Sequence, residues 1–138
     1  MTDVSLASLM TPSKVVSIDF PGYESFSVEV CYLAREELIK LRKKCVETKF
    51  NKRNHSPEET LNEDKFLLEY TKAVIRGWTG LKFRYLEEFL LVDISQLDPD
   101  DELPYTQENA VLMMKNSDTF DSWLTNAASN LENFTGRK

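Results

Sequence analysis

The sequence has few of the residues from which catalytic and metal sites are built. His55 is its only histidine, so one chain cannot assemble a histidine-based metal cage or a Ser-His-Asp triad. It has four glycines and none of the motifs GxGxxG, GxxxxGKS/T, GxSxG and HExxH. We therefore predict a binding protein that is not an enzyme and uses no cofactor or metal ion, with His55 as an ordinary exposed residue.

The chain also lacks the signatures of secreted and membrane proteins. Cys31 and Cys45 lie outside any CxxC motif, which suits small buried thiols in a reducing compartment, with a disulfide between them as the alternative. The longest apolar run, residues 89–92, is far shorter than the ~20 residues that span a membrane. The N-terminus, MTDVSLASLM, lacks the Lys or Arg that begins a signal peptide. We predict a cytoplasmic protein without membrane contact.

Positive charge is scarce and unevenly placed. The formal net charge of −6 argues against a protein whose main task is binding phosphate backbones. Eight of the seventeen Lys and Arg residues lie within residues 35–53, whereas residues 86–114 have eight acids and no Lys or Arg. Three interpretations stay open: a solvated helix face and loop, self-complementary surfaces that favour head-to-tail oligomers, and, least favoured, a nucleic-acid surface. The candidate residues for a charged partner are Arg42, Lys43 and Lys44.

Four acids lie close together at residues 98–102. A hard cation such as calcium takes oxygen ligands of this kind. The spacing is not that of an EF-hand, because Leu103 stands where that loop needs glycine and Asn109 where it needs glutamate. A solvated acidic loop is the favoured interpretation, and cation binding by the loop stays open.

The apolar residues follow two patterns, first that of strands and then that of helices. Alternation on both sides of Pro21-Gly22 predicts a β-hairpin at residues 14–32. Spacings of three and four residues predict helices at about 34–48, 61–78 and 83–91, a polar loop at 50–60 and an acidic loop at 93–106. Two further helices are predicted to begin after Thr106 and near Ser117.

The predicted fold class is a mainly α-helical α+β domain, in which an N-terminal β-hairpin is followed by a bundle of about four to five helices. The single domain covers residues 14–134, with its helices within 34–134, and this length supports one apolar core. Residues 1–13 are predicted to form a flexible lead and residues 135–138 a frayed tail.

Several large apolar residues in the predicted helices allow two interpretations. Met113, Met114, Trp78 and Trp123 have helical spacings that are typical of a core. Methionine and aromatic side chains also line adaptable binding surfaces, so an exposed apolar groove for a client segment is the alternative. The sequence does not decide between them.

Three stretches, taken in order, resemble the tail assembly chaperones of long-tailed bacteriophages. They are VEVCYLAREELIKLRKK, which leads a strand into a basic helix, IRGWTGL at the end of the longest helix, and LPYTQENAVLMMKNSDTFDSWL after the acidic loop. The resemblance covers about residues 28–134, and its core is the Trp78-Thr79-Gly80-Leu81 turn followed by the PYTQEN helix start. In this turn Trp78 would fix the end of the long helix, and Gly80 would permit a sharp exit of the chain.

The resemblance implies a chaperone that acts in the host cytoplasm during virion assembly and is not expected in the mature virion. Its implied client is the tape measure protein, whose long apolar helices it keeps soluble, with the tail tube protein as a further partner and self-association as a means of coating the client. The hairpin and the FNKRNHSPEET loop depart from the smallest, all-helical members, so no client-binding residue is carried over. The rival interpretations are a structural virion (tail) protein and a small nucleic-acid-binding regulator that uses residues 35–53.

Overall fold

The computed structural model describes residues 4–135, and over these residues it has six α-helices and two antiparallel sheets. In chain order the elements are α1 (Leu6–Leu9), β1 (Ser13–Asp19), β2 (Ser27–Leu33), α2 (Arg35–Lys44), β3 (Val46–Asn51), β4 (Ser56–Leu61), α3 (Glu63–Val74), β5 (Ile75–Thr79), α4 (Phe83–Phe89), α5 (Gln107–Asn116), α6 (Asp118–Ser129) and a 3₁₀ helix (Leu131–Phe134). One sheet has the strand order β1-β2-β5, and β3 pairs with β4 in the other.

The predicted N-terminal hairpin is present. Strands β1 and β2 pair in a register that runs from Ser13 opposite Leu33 to Asp19 opposite Ser27. The connection is a seven-residue loop, residues 20–26, in place of a tight turn at Pro21-Gly22. The backbone N–H of Phe20 donates to the Phe26 carbonyl across the base of this loop, and both rings enter the core.

The prediction that a helical bundle follows the hairpin is wrong, and strand β5 is one reason. The helix predicted at 61–78 ends at Val74, and the chain continues as a strand in which Trp78 pairs with Val28 of β2. Val74 and Trp78 are four residues apart, a spacing that suits a helix, so the apolar pattern does not reveal the change from helix to strand after Val74. Pairing with β2 decides the conformation, because a strand beside an existing hairpin gains backbone hydrogen bonds and buries Ile75 and Trp78.

The second reason is a hairpin made by β3 and β4, which we call the β3–β4 arm (residues 46–61). The helix predicted to reach residue 48 ends at Lys44, and the loop predicted at 50–60 belongs to this arm. Both faces of the arm are largely exposed, so its sequence lacks the alternation of apolar and polar residues that marks a half-buried strand. Pro57 also disfavours a strand, but it is tolerated because both strands of a two-stranded sheet are edges.

The two C-terminal helices begin where their capping residues predict. The Thr106 hydroxyl accepts from the backbone N–H of Asn109 at the start of α5, and the Ser117 hydroxyl accepts from that of Phe120 at the start of α6. Both side chains satisfy backbone donors that a helix leaves unpaired in its first turn. The short helix predicted at 83–91 is also present, as α4.

One apolar core lies between the three-stranded sheet and helices α3 to α6. Its fully buried members include Phe26, Val28, Val30, Ile75, Leu81, Met113, Phe120 and Leu124. Trp78, Met113 and Met114 are buried, and the half-buried Trp123 packs against this core with its ring centroid 4.4 Å from that of Phe20. The core interpretation of these four residues is therefore confirmed.

The C-terminal end of the acidic loop is fixed to strand β5. The indole N–H of Trp78 donates to the Leu103 carbonyl at 3.0 Å, and the Tyr105 hydroxyl donates to the Ile75 carbonyl at 3.1 Å. Gly80 has a φ of +74°, the left-handed conformation expected of a sharp exit from Trp78.

The ends of the chain add little to this core. The predicted lead contains α1, whose residues are all exposed, while residues 1–3 lie outside the described residues, as do residues 136–138 of the predicted tail. Between residues 4 and 135 there is no helix with the length and apolar character required to cross a membrane.

Candidate binding groove and charged surfaces

A groove of about 650 Å³ runs between α2 and α3, and side chains of α5 and α6 complete its walls. Its lining residues are Leu38, Arg42, Leu61, Glu63, Asp64, Phe66, Leu67, Tyr70, Met114, Asp121, Thr125 and Ser129. A smaller cavity of about 200 Å³ shares Leu38, Tyr70 and Ser129 with it and extends toward the end of β2. The volume of the larger groove is typical of a pocket that holds a small ligand.

The groove exists because the apolar stripe of α3 is wider than the core that covers it. Val74 lies in the core, whereas Phe66, Leu67 and Tyr70 are only half-buried. Helix α2 packs against α3 but buries only one of its leucines in full, so Leu38 stays 38% exposed on the groove wall. The result is an apolar surface that folding leaves accessible.

Charges lie around this apolar surface. The guanidinium of Arg42 sits over the Phe66 ring, 5.8 Å from its centroid, a cation–π arrangement. Glu63, Asp64 and Asp121 supply negative charge elsewhere on the rim. Burial raises the pKa of Tyr70; a hydrogen bond with Thr125 partly offsets this rise, and the charge of Asp121 adds a smaller increase. The groove thus combines an apolar centre with charges of both signs that can orient a bound segment.

The structure separates the three residues predicted to face a charged partner. Arg42 belongs to the groove, whereas Lys43 and Lys44 are exposed and form no ion pair with any residue between 4 and 135. Leu38, Phe66 and Leu67 were not predicted to line a groove, although the α3 stripe was visible in the sequence. Periodicity identifies an apolar face but does not show how much of it a neighbouring helix covers.

Three of the four acids at 98–102 make contacts within the domain, two of them to residues outside the loop. Asp100 pairs with Arg84, and the Asp98 carboxylate accepts from the backbone N–H of Asp100 at 2.9 Å. The Glu102 carboxylate accepts from the N–H of Gly80 at 2.8 Å. Within the described part of the chain, no three His, Cys, Asp or Glu side chains are grouped so that they could share a metal ion.

The single histidine and the two cysteines are placed as the sequence predicts. His55 is exposed in the turn of the β3–β4 arm, with a φ of +54°. Cys31 and Cys45 are fully buried free thiols, so the disulfide alternative is not realised.

Comparison with known proteins places the chain in a family. Residues 34–138 match the model of the YdaY prophage protein family, and this match spans well over half of the chain. The chain belongs to the YdaY prophage protein family. This makes it a phage-related protein, and the YdaY match begins at the residue before α2, so it includes the groove, the β3–β4 arm and the acidic loop. No curated protein and no solved structure matches the chain.

Proposed function

We propose that this prophage protein is a tail assembly chaperone that binds the tape measure protein without covalent chemistry and keeps it soluble in the host cytoplasm. The observation that carries the proposal is the apolar groove between α2 and α3. The resemblance of residues 28–134 to tail assembly chaperones supplies the client, and membership of a prophage family is consistent with it.

The groove suits an amphipathic helix as its occupant. Such helices bind apolar grooves through side chains at positions i, i+3, i+4 and i+7, and Leu38, Leu67 and Tyr70 offer a matching apolar surface. Arg42 and the acids on the rim would orient the client.

The test is co-expression of the chain with the tape measure protein encoded by the same phage genome. We expect the tape measure protein to become soluble and to co-purify with the wild-type chain. Leu38→Lys should weaken this association by about tenfold or more, because it places a charge in the apolar groove. Ile39→Lys is the matched control, since Ile39 lies on the same helix, is 43% exposed and does not line the groove.

Two outcomes would refute the proposal. In the first, the tape measure protein stays equally insoluble with and without the chain, and nothing co-purifies. In the second, both lysine variants reduce the association to the same extent, which would show that the groove is not the binding site for the tape measure protein. Stoichiometric amounts of the chain in purified virions would instead favour the structural tail protein.

A further inference from the structure

The β3–β4 arm presents an apolar face that the core of the domain does not cover. Phe50 is 63% exposed near the end of the arm, and Val46 is exposed near its base. Phe50 lies directly opposite Pro57 in the ribbon. Val46 lies opposite Leu61, and both pairs belong to the same face. A two-stranded hairpin is marginally stable in water by itself, so a partner that covers this face would stabilise the arm.

This face is continuous with the groove between α2 and α3. The arm connects these helices, since α2 ends at Lys44 and α3 begins at Glu63. The backbone N–H of Asn62 donates to the Cys45 carbonyl at 2.7 Å and closes the base of the arm. Leu61 belongs to both surfaces, because it lies on the apolar face of the arm and also lines the groove. A segment bound between the two helices therefore meets the arm at the end of the groove.

Negative charge lies where the groove and the arm meet. Glu63 and Asp64 line this end of the groove. Among the paired positions on the apolar face of the arm, Glu59 is the one that carries a charge, and Lys49 lies on the opposite face. Arg42 offsets only one of these negative charges. A partner that covers the junction is therefore expected to carry Lys or Arg there.

The dimensions of the two surfaces set the length of a helix that would cover both. From Glu63 to Tyr70 the groove follows α3 for about 10 Å, at about 1.5 Å per residue. From Leu61 to Pro57 the arm adds about 14 Å, at about 3.4 Å per residue. A helix that spans the combined length of about 24 Å has about 16 residues.

We propose that the apolar face of the arm extends the groove, so that one amphipathic client helix of about 16 residues lies across both surfaces. This helix places Lys or Arg against Glu59 and the acids at the end of the groove. The inference rests on the proposed function, because its occupant is the client helix of the groove. It adds the arm as a second contact and basic residues as a requirement on the client.

The test is co-expression with the tape measure protein of the same phage genome, using variants that leave the groove unchanged. Phe50→Lys should weaken the complex by about tenfold or more, because it places a charge on the apolar face. Glu59→Lys should weaken it by about threefold, because it replaces an acid that faces basic groups of the client. Thr60→Lys is the matched control and should bind like the wild type, since Thr60 is exposed on the opposite face of β4.

Photocrosslinking determines whether one helix covers both surfaces. A photoreactive phenylalanine analogue replaces either Leu38 in the groove or Phe50 on the arm. Mass spectrometry should locate the two sets of crosslinks in the same helices of the tape measure protein. They should occur in one fixed order along its sequence, about 10–20 residues apart.

The outcomes separate this inference from the proposed function. If Leu38→Lys weakens the complex and Phe50→Lys binds like the wild type, the inference fails and the chaperone function stands. Equal losses for Phe50→Lys and Thr60→Lys would also overturn the inference. Crosslinks from position 50 to a second copy of this chain, or crosslinks without a fixed order, would do the same. A wild-type chain that binds no tape measure protein would refute the proposed function, and the inference with it.

Discussion

Replacing Gly80 by alanine should destabilise the protein more than replacing Gly22, the other glycine with a positive φ between residues 4 and 135. Gly80 has a φ of +74°, and a Cβ atom at this position would lie 1.8 Å from the carbonyl oxygen of Ser25. The carbonyl carbon of Ser25 would be only 2.5 Å away. These are backbone atoms, so no side chain can rotate to relieve the overlap. The loop at residues 20–26, which carries the buried Phe26, would have to move.

The magnitude follows from two costs. The left-handed conformation costs a residue with a Cβ about 1–2 kcal/mol. Overpacking that forces a backbone shift in a core adds about 1–3 kcal/mol. Gly80→Ala should therefore lower the free energy of unfolding by about 2–5 kcal/mol, a large part of the ~5–15 kcal/mol typical of a domain.

Gly22→Ala is the matched control for this prediction. Gly22 also has a positive φ, +86°, but a Cβ atom added to it would meet no other atom within 4 Å. It should therefore show the conformational cost alone, about 1–2 kcal/mol. Urea denaturation followed by circular dichroism measures both variants, with the free energy extrapolated to water. Equal losses for the two glycines would show that the contact with Ser25 contributes nothing and would refute the reasoning.

Three further predictions concern polar groups that are buried or half-buried. The hydroxyl of Thr71 is fully buried and has no hydrogen-bond partner among residues 4–135. Thr71→Val should therefore raise the free energy of unfolding, measured by urea denaturation, by about 1 kcal/mol. A loss of stability would contradict this prediction. Ser117→Ala should lower the free energy of unfolding by about 1 kcal/mol, because the backbone N–H of Phe120 loses its capping acceptor. An unchanged urea midpoint would show that the cap does not stabilise the protein. Burial raises the pKa of Tyr105, so the native state keeps this proton to a higher pH than the unfolded state does. The stability that depends on this proton is present below pH ~10 and is lost as the pH rises through the pKa of the native state. Denaturation between pH 8 and pH ~11 should show a smaller alkaline loss for Tyr105→Phe than for the wild type, and identical slopes would exclude Tyr105 as a source of the loss.

The sequence predicted the elements whose signals are local. Alternating side chains identified the β1–β2 hairpin, and the capping residues Thr106 and Ser117 marked the starts of α5 and α6. Strand β5 was missed because its conformation depends on pairing with β2, which lies more than forty residues earlier in the chain. The β3–β4 arm was missed because neither of its faces is buried, and burial is what produces the alternation of a strand.

The groove illustrates what periodicity leaves undetermined. The α3 stripe was recognised, but the exposure of Phe66 and Leu67 depends on how α2 crosses α3, which is a property of tertiary packing. Arg42 was selected for its charge, and in the structure its position over the Phe66 ring makes it part of the groove wall. A pattern of residue types thus locates a surface, and the packing of neighbouring elements decides whether a partner can reach it.

The central claim is that the groove between α2 and α3 holds a helix of the tape measure protein, and site-specific photocrosslinking tests it most directly. A photoreactive phenylalanine analogue replaces either Leu38, on the groove wall, or Ile39, the equally exposed neighbour outside it. After co-expression and irradiation, mass spectrometry identifies the attached residues. We expect crosslinks from position 38 to apolar residues of the tape measure protein at helical spacing, and few from position 39. Equal crosslinking from both positions, or none from position 38 in a complex that does form, would contradict the claim.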